Sequence, residues 1–273
     1  MRVVKLMASL VVFSADAICE GLRRMMGGCG AAKCVVLYYH SIPARQRARF
    51  ARQMDVLVRH ACPLSADSKE ELSPGRRYAI VTFDDANANI IANALPELKS
   101  REIPVTLFVI TDKLGRIPDW QNFAADFTED DRIMTQEQLL TLPCPLIKFG
   151  SHTMNHVLLT SVDIEAARRE IEESGRKLER MVKLPVRTFS FPYGAYNEAL
   201  LESCRAAGYE RVFTTDPVFA LRQSNEFAVG RVVAEPTDWG LEFRLKLAGA
   251  YRWLNVVSKL KRWILGIFVS ASA

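Results

Sequence analysis

The chain has 273 residues, 49% of them apolar and 25% charged, and its 36 basic against 31 acidic side chains give a formal net charge of +5. That length and apolar content support one substantial core, and so mild a basic excess does not by itself make a nucleic-acid binder, so no nucleic-acid partner is expected. The cysteines, Cys19, Cys29, Cys34, Cys62, Cys144 and Cys204, include no CxxC pair, which argues against a zinc ribbon or redox dithiol and for small buried thiols in a reducing compartment.

The opening "MRVVKLMASLVVFSADAICEGLRRMMGGCG" has a basic start and a short apolar run. It lacks a small-residue cleavage pattern and an apolar span of about 20 residues. An amphipathic helical extension over residues 1–33 is expected. The protein is then cytoplasmic or peripheral to a membrane, or extracytoplasmic if this segment acts as a signal or anchor. From residue 34 the pattern alternates. "CVVLYYH" (34–40) reads as a strand covered on both faces, and "ARQRARFARQMDVLVRH" as a helix with Phe50, Met54, Leu57 and Val58 on its apolar face. Strand 78–83, helix "NIIANALPELKSR", strand 105–110, a short helix around "TQEQLLTL" and strand 145–152 follow. Next comes a long helix, "SVDIEAARREIEESGRKLERMV", with Ser161 as the expected N-cap and charges matched to its dipole. Strand "RTFSF", helix "NEALLESCRAAG", strand "RVFTT" and strand "AVGRVVA" complete the set.

Strands separated by helices predict a parallel sheet with right-handed crossovers, open or closed into a barrel, over residues 34–240. No internal repeat is visible. The tail, 241–273, is expected to be a basic amphipathic C-terminal helix carrying Arg244, Lys246, Arg252, Lys259, Lys261 and Arg262. It either lies at a membrane interface or packs on the barrel wall.

Three stretches carry candidate chemistry. In "AIVTFDDANAN" a strand runs into Asp84 and Asp85, at the carboxyl end where α/β folds place ligands. Neighbouring side chains on a strand point oppositely, so both acids reach one pocket only if the pleat ends there. Taken alone, a solvated loop pair is the simpler reading. In "GSHTMNH" His152 and His156, two of four histidines, also follow a strand. Added to a strand-end aspartate they make a two-histidine, one-carboxylate set with positions left for water and substrate. In "RTFSFPYGAYN" the strand stops at Pro192, and Gly194 permits a turn that is either structural or an oxyanion donor.

In order, "TFDD", "SHTMNH" and "FSFPYG", supported by "ALPELKSREIPVTLFV" and "CRAAGYERVFTT", resemble the polysaccharide deacetylase family, the NodB-homology or carbohydrate esterase family 4 enzymes, over residues 34–235. The resemblance implies a distorted (β/α)7-type barrel with N- and C-terminal helical extensions. It also implies a metal-dependent hydrolase that removes an N-acetyl or similar acyl group from an amino sugar of a surface polysaccharide or its lipid-linked precursor. Asp84 is then the catalytic base, and Asp85, His152 and His156 hold one divalent metal ion, zinc being the first candidate. The Tyr193 backbone N–H would donate to the oxyanion. The cation also explains the adjacent acids, since one ligates it while the other faces its water.

The chain departs from the family pattern in three places. Ala86 stands where the family has Gly, Val157 where it has Pro, and Ser190 where an arginine orients the base. The "FSFPYG" form is similar to the poly-N-acetylglucosamine deacetylase branch, in which an arginine near "GRVV" serves instead, making Arg231 the candidate. No histidine follows His156. "LYYHSIP" resembles that branch's opening motif, so His40 is assigned as the general acid, with a hydrogen-bonded core histidine as the alternative. "EPTDW" resembles a family motif one strand too late, leaving Asp238 and Trp239 coincidental or substrate-lining. The partners expected are an N-acylated carbohydrate and, through the terminal helices, a membrane surface. A catalytically silent carbohydrate-binding relative and a two-histidine, one-carboxylate iron oxygenase are the competing readings.

Overall fold

A computed structural model describes residues 1–120, 128–142, 145–258 and 260. Helix α1 (Arg2–Met25) precedes β1 (Lys33–Tyr39), α2 (Arg47–His60), a two-residue β2 (Cys62–Pro63) and β3 (Arg77–Phe83). Then come α3 (Asn89–Asn93), α4 (Leu95–Lys99), β4 (Val105–Val109), α5 (Gln136–Leu140), β5 (Ile147–Ser151), α6 (Ile164–Val182) and β6 (Thr188–Ser190). The chain continues through α7 (Glu198–Ala206), β7 (Arg211–Phe213), β8 (Ala228–Val229), β9 (Val232–Val233) and α8 (Gly240–Leu247).

Every strand pairing is parallel, in the order β8-β7-β6-β5-β4-β3-β1-β9, with β2 added beside β3. The two ends of that order, β8 and β9, are separated in sequence only by Gly230 and Arg231. One stretch of chain therefore joins both edges of the sheet and curls it into a distorted barrel, the (β/α)7 type when β8 and β9 count as one stave. The single strand expected over 228–234 is split here because its two halves pair with different neighbours. A Cβ on Gly230 would lie 2.1 Å from the Asp216 carbonyl oxygen, so only glycine passes at this crossing.

Strand alternation sorts the barrel into an outside and an inside. Val35, Leu37, Val81, Phe83, Leu107 and Phe189 face the helices, whereas Val36, Ile80, Phe108, Phe213 and Val229 form a separate inner cluster. The same alternation carries Thr82, Asp84, His152 and Ser190 inward, so the barrel interior changes from apolar to polar toward the carboxyl ends of the strands.

Several expectations are corrected. The helix foreseen from Asn89 breaks at Ala94 into α3 and α4. Pro96 has no N–H to give the Ala92 carbonyl, which accepts from Arg47 Nη1 instead (3.1 Å). Asp163, not Ser161, caps α6, its side chain accepting from the Ala166 N–H at 2.9 Å. On α2 the buried face is Phe50, Gln53, Met54 and Leu57, and Val58 is exposed. Cys34 and Cys204 are buried as expected, but Cys19 and Cys29 are exposed; Cys144 lies outside the described residues.

The first part of the tail packs on the barrel, with Phe243, Leu245, Leu247 and Tyr251 buried. Two of its cations are consumed internally, Lys246 by Asp238 (2.7 Å) and Arg252 by Asp16 (2.6 Å). Lys259, Lys261 and Arg262 lie outside the described residues. Asp238 is thus a structural ion-pair partner and Trp239 sits under Arg2, and neither lines the cavity described below.

Candidate active site

The carboxyl ends of β1, β3, β5, β6 and β7 open into one cavity of about 350 Å³, whose lining includes His40, Asp84, Asp85, His152, His156 and Tyr193. Asp84 continues the pleat of β3, donating its N–H to the Tyr39 carbonyl (2.9 Å) and pointing inward two residues after Thr82. Asp85 would then point away, but Asp85 and Ala86 adopt left-handed backbones (φ 67° and 53°), which return the second carboxylate to the same cavity. Thr153, His156 and Tyr193 are left-handed too (φ 67°, 57° and 59°). Such conformations cost about 1–3 kcal/mol each without glycine and persist where the surroundings over-determine them. Ala86 therefore takes the left-handed path on which glycine is the easier residue, its methyl buried in the core. Gly194 (φ 67°) has no such latitude, since a Cβ there would fall 1.9 Å from Thr215 Oγ1.

Asp85 Oδ1 lies 3.6 Å from His152 Nε2 and 3.5 Å from His156 Nε2, and one ligand atom from each residue falls within 4.8 Å of the others. All three residues are buried. His152 Nδ1 is 2.7 Å from the Ser190 carbonyl, which only accepts, so Nδ1 carries a proton and Nε2 is the ring nitrogen turned toward Asp85. Among the described residues Asp85 Oδ1 has no hydrogen-bond partner. A buried carboxylate oxygen without a hydrogen-bond donor therefore faces two imidazole nitrogens. A divalent cation satisfies that oxygen, and separations of 3.5 and 3.6 Å are close to the roughly 3.4 Å edge of a tetrahedron with arms of about 2.1 Å. Burial raises the Asp85 carboxyl, against the lowering influence of His40 and His152, and presses His156 down to about 2, with His152 adding to the effect. The residues present fit one metal ion.

Arg231, fully buried at the break between β8 and β9, uses all five of its guanidinium donors. Nη1 and Nη2 clamp Asp84 Oδ1 and Oδ2 at 2.7 and 2.8 Å, Nη2 also reaches Ser190 Oγ (2.8 Å), Nη1 reaches Thr82 Oγ1 (3.2 Å), and Nε reaches the Thr214 carbonyl (3.1 Å). Burial pushes Asp84 up, but Arg231, with His152 behind it, more than reverses that and holds the carboxyl at about 2. Arg231 thus reaches Asp84 from the crossing between β8 and β9, and Ser190 is small enough to admit it and polar enough to accept from it. His40 is exposed at the cavity rim, edge-on to Tyr38, not a core histidine.

Three residues escaped the sequence reading. Trp120 stacks on His156 with ring centroids 4.2 Å apart, and Asn87 lines the cavity with a buried Oδ1 that has no partner among the described residues. Glu170, on the inner face of α6, accepts from the Met154 and Asn155 N–H groups (2.8 and 3.0 Å) and from Asn155 Nδ2 (2.7 Å). It pins the loop between the two histidines, helped by Thr153 Oγ1, which accepts from the His156 N–H at 2.9 Å. Glu170→Gln should therefore weaken metal binding by about 10- to 100-fold, the usual effect of losing a group that orients ligands. Competition titration against a chromophoric chelator measures this, and unchanged affinity would show that the loop holds its shape unaided.

The sequence profile of the family described as polysaccharide deacetylase matches residues 72–212. The chain belongs to the polysaccharide deacetylase family. Its members are hydrolases that act on carbon–nitrogen amide bonds. YxkH of Bacillus subtilis (strain 168), itself named a polysaccharide deacetylase, is 26% identical over 231 residues, covering 81% of this chain and 76% of that protein. The poly-β-1,6-N-acetyl-D-glucosamine N-deacetylase of Staphylococcus aureus (strain MSSA476) is 25% identical over 166 residues, 58% of this chain and 54% of that protein. Among solved structures, IcaB from Ammonifex degensii superposes with a TM-score of 0.66 at 25% identity, covering 81% of this chain and 98% of that one. The Streptococcus pyogenes deacetylase PplD shares the fold, with a TM-score of 0.62 at 21% identity over 75% of this chain and 93% of that one. The NodB-type barrel expected from the motifs is the fold that this polysaccharide deacetylase adopts.

Proposed function

We propose that this polysaccharide deacetylase removes acetyl groups from N-acetylated amino sugars of a surface polysaccharide or its lipid-linked precursor, using one divalent ion, zinc first, held by Asp85, His152 and His156. The observation that carries the reading is the buried Asp85 carboxylate set against two imidazole nitrogens, with the clamped Asp84 beside it. The relative named for poly-N-acetylglucosamine supports an amino-sugar substrate. A divalent cation bound there supplies Lewis acidity, polarising the amide carbonyl and acidifying water.

The chain's own groups do the rest. Asp84, kept ionised by Arg231, accepts the proton of the attacking water. The Tyr193 N–H donates to the oxyanion that forms as water adds to the carbonyl carbon. His40, at the solvent-facing rim, delivers a proton to the amine nitrogen as the carbon–nitrogen bond breaks. The Tyr193 and Trp120 rings, both against His156, give the sugar an apolar wall.

Metal analysis of the purified protein, coupled to acetate release from a panel of N-acetylated oligosaccharides, tests this. One ion per chain with acetate release is expected, and His152→Ala should lose both. A protein that binds the ion yet releases no acetate from any N-acetylated glycan would instead be a silent relative, and turnover by metal-free His152→Ala would remove the cation from the scheme.

A further inference from the structure

Helix α1 is mounted with its polar ties inward. Arg2 Nε donates to Glu242 (2.8 Å), Trp253 Nε1 to the fully buried Ser9 (3.0 Å), Arg252 to Asp16 (2.6 and 2.7 Å), and Lys33 pairs with Glu20. Half-buried Leu6, Leu10 and Val12 complete the packed side. On the opposite side Val4, Met7, Val11, Ile18, Leu22 and Met25 recur at spacings of three, four or seven residues, each 54% to 85% exposed. A surface helix of a water-soluble protein normally presents the reverse arrangement. A stripe of this length left bare marks an interaction surface.

Charge selects the occupant. Asp16 and Glu20 are the helix's only acids, and both are committed inward. Lys5, Arg23 and Arg24 remain exposed, Lys5 and Arg23 on one flank of the helix and Arg24 on the other, each about 100° round from the edge of the stripe. An anionic lipid surface accepts the apolar face together with flanks whose exposed charges are all positive. No described helix is long and apolar enough to cross a bilayer, which fits a helix lying in the interface.

We propose that the outward stripe of α1 docks this protein onto an anionic membrane surface while its inward face stays on the barrel. Docking also orients the cavity. The Arg2 end of α1 meets Thr237 and Glu242, beyond the carboxyl end of β9, and its Glu20 end meets Lys33 and Arg77, the first residues of β1 and β3. The helix therefore runs against the strands along the barrel wall, and the cavity opens at the end next to its N-terminus. This docking does not depend on the assigned chemistry.

Co-sedimentation of the full chain with phosphatidylcholine vesicles, with and without phosphatidylglycerol, tests it. Binding to the anionic vesicles is expected, weakening as salt shortens the screening length from about 10 Å at 0.1 M to about 3 Å at 1 M. The triple variant Met7→Glu, Val11→Glu, Ile18→Glu should lose at least about tenfold in partitioning. It should keep its circular dichroism, its melting temperature and its acetate release from a water-soluble substrate. Lys5→Gln, Arg23→Gln, Arg24→Gln, which leaves the stripe intact, should lose the preference for anionic vesicles even if the first variant folds poorly. Undiminished binding by either variant, no binding by the parent chain, or a parent dimer that the first variant turns into a monomer would each overturn the proposal.

Discussion

Asp84→Asn is expected to reduce turnover by about 10²- to 10⁴-fold, the usual contribution of a positioned base, while the bound metal stays at the level of the parent protein. The two outcomes separate because the adjacent acids are divided by geometry. Asp85 faces the histidines, whereas both oxygens of Asp84 are taken by Arg231. The substitution keeps the side chain's shape, and Arg231 retains Ser190, Thr82 and Thr214 as acceptors, so the barrel closure has neutral partners to fall back on. With its carboxyl held at about 2, Asp84 is ionised throughout any working pH range. An acid limb in the pH–rate profile of the parent enzyme should therefore belong to another group. Acetate release and metal content, measured on the same preparation, decide the matter. Turnover within a few-fold of the parent would remove Asp84 as the base, and loss of the ion would move it into the ligand set.

What could be read from the sequence was what lies close together along it. TFDD, SHTMNH and FSFPYG each hold their residues within a few positions of a strand end, and the period-two pattern of the strands aims Asp84, His152 and Ser190 inward. What could not be read depends on closure or on backbone conformation. Arg231, named by the family resemblance and not by any pattern in the residues, stands 147 residues from Asp84 and 41 from Ser190. A single predicted strand over 228–234 gave no sign that the chain changes partners at Gly230, the event that puts Arg231 inside the barrel. The left-handed turns at Asp85, Ala86 and His156 contain no glycine to announce them. Glu170 lies among nine other charged residues of α6, a pattern that reads as a solvated face, and only the loop packed against the helix reveals it as a cap for two backbone N–H groups.

Arg231→Met should cost about 3–5 kcal/mol of stability near neutral pH, because it leaves a buried carboxylate without its counter-charge. The pH dependence distinguishes that cause from a simple packing defect. In the parent protein the folded Asp84 carboxyl lies at about 2, below its unfolded value of about 3.9, so it contributes stability that is fully present above about pH 4 and lost as pH falls through about 2. Without Arg231 the desolvation that already opposes ionisation raises the folded value above the unfolded one. The sign then reverses, and the variant loses stability as pH rises beyond about 4. The deficit of the variant should accordingly be widest near pH 7 and narrow by pH 4. Urea unfolding of both proteins at the two pH values, with chelator present so that metal binding does not contribute, measures it. A deficit of the same size at pH 4 and pH 7 would mean that Arg231 holds the barrel together through shape and neutral hydrogen bonds, and that the charge on Asp84 is compensated by something other than the guanidinium.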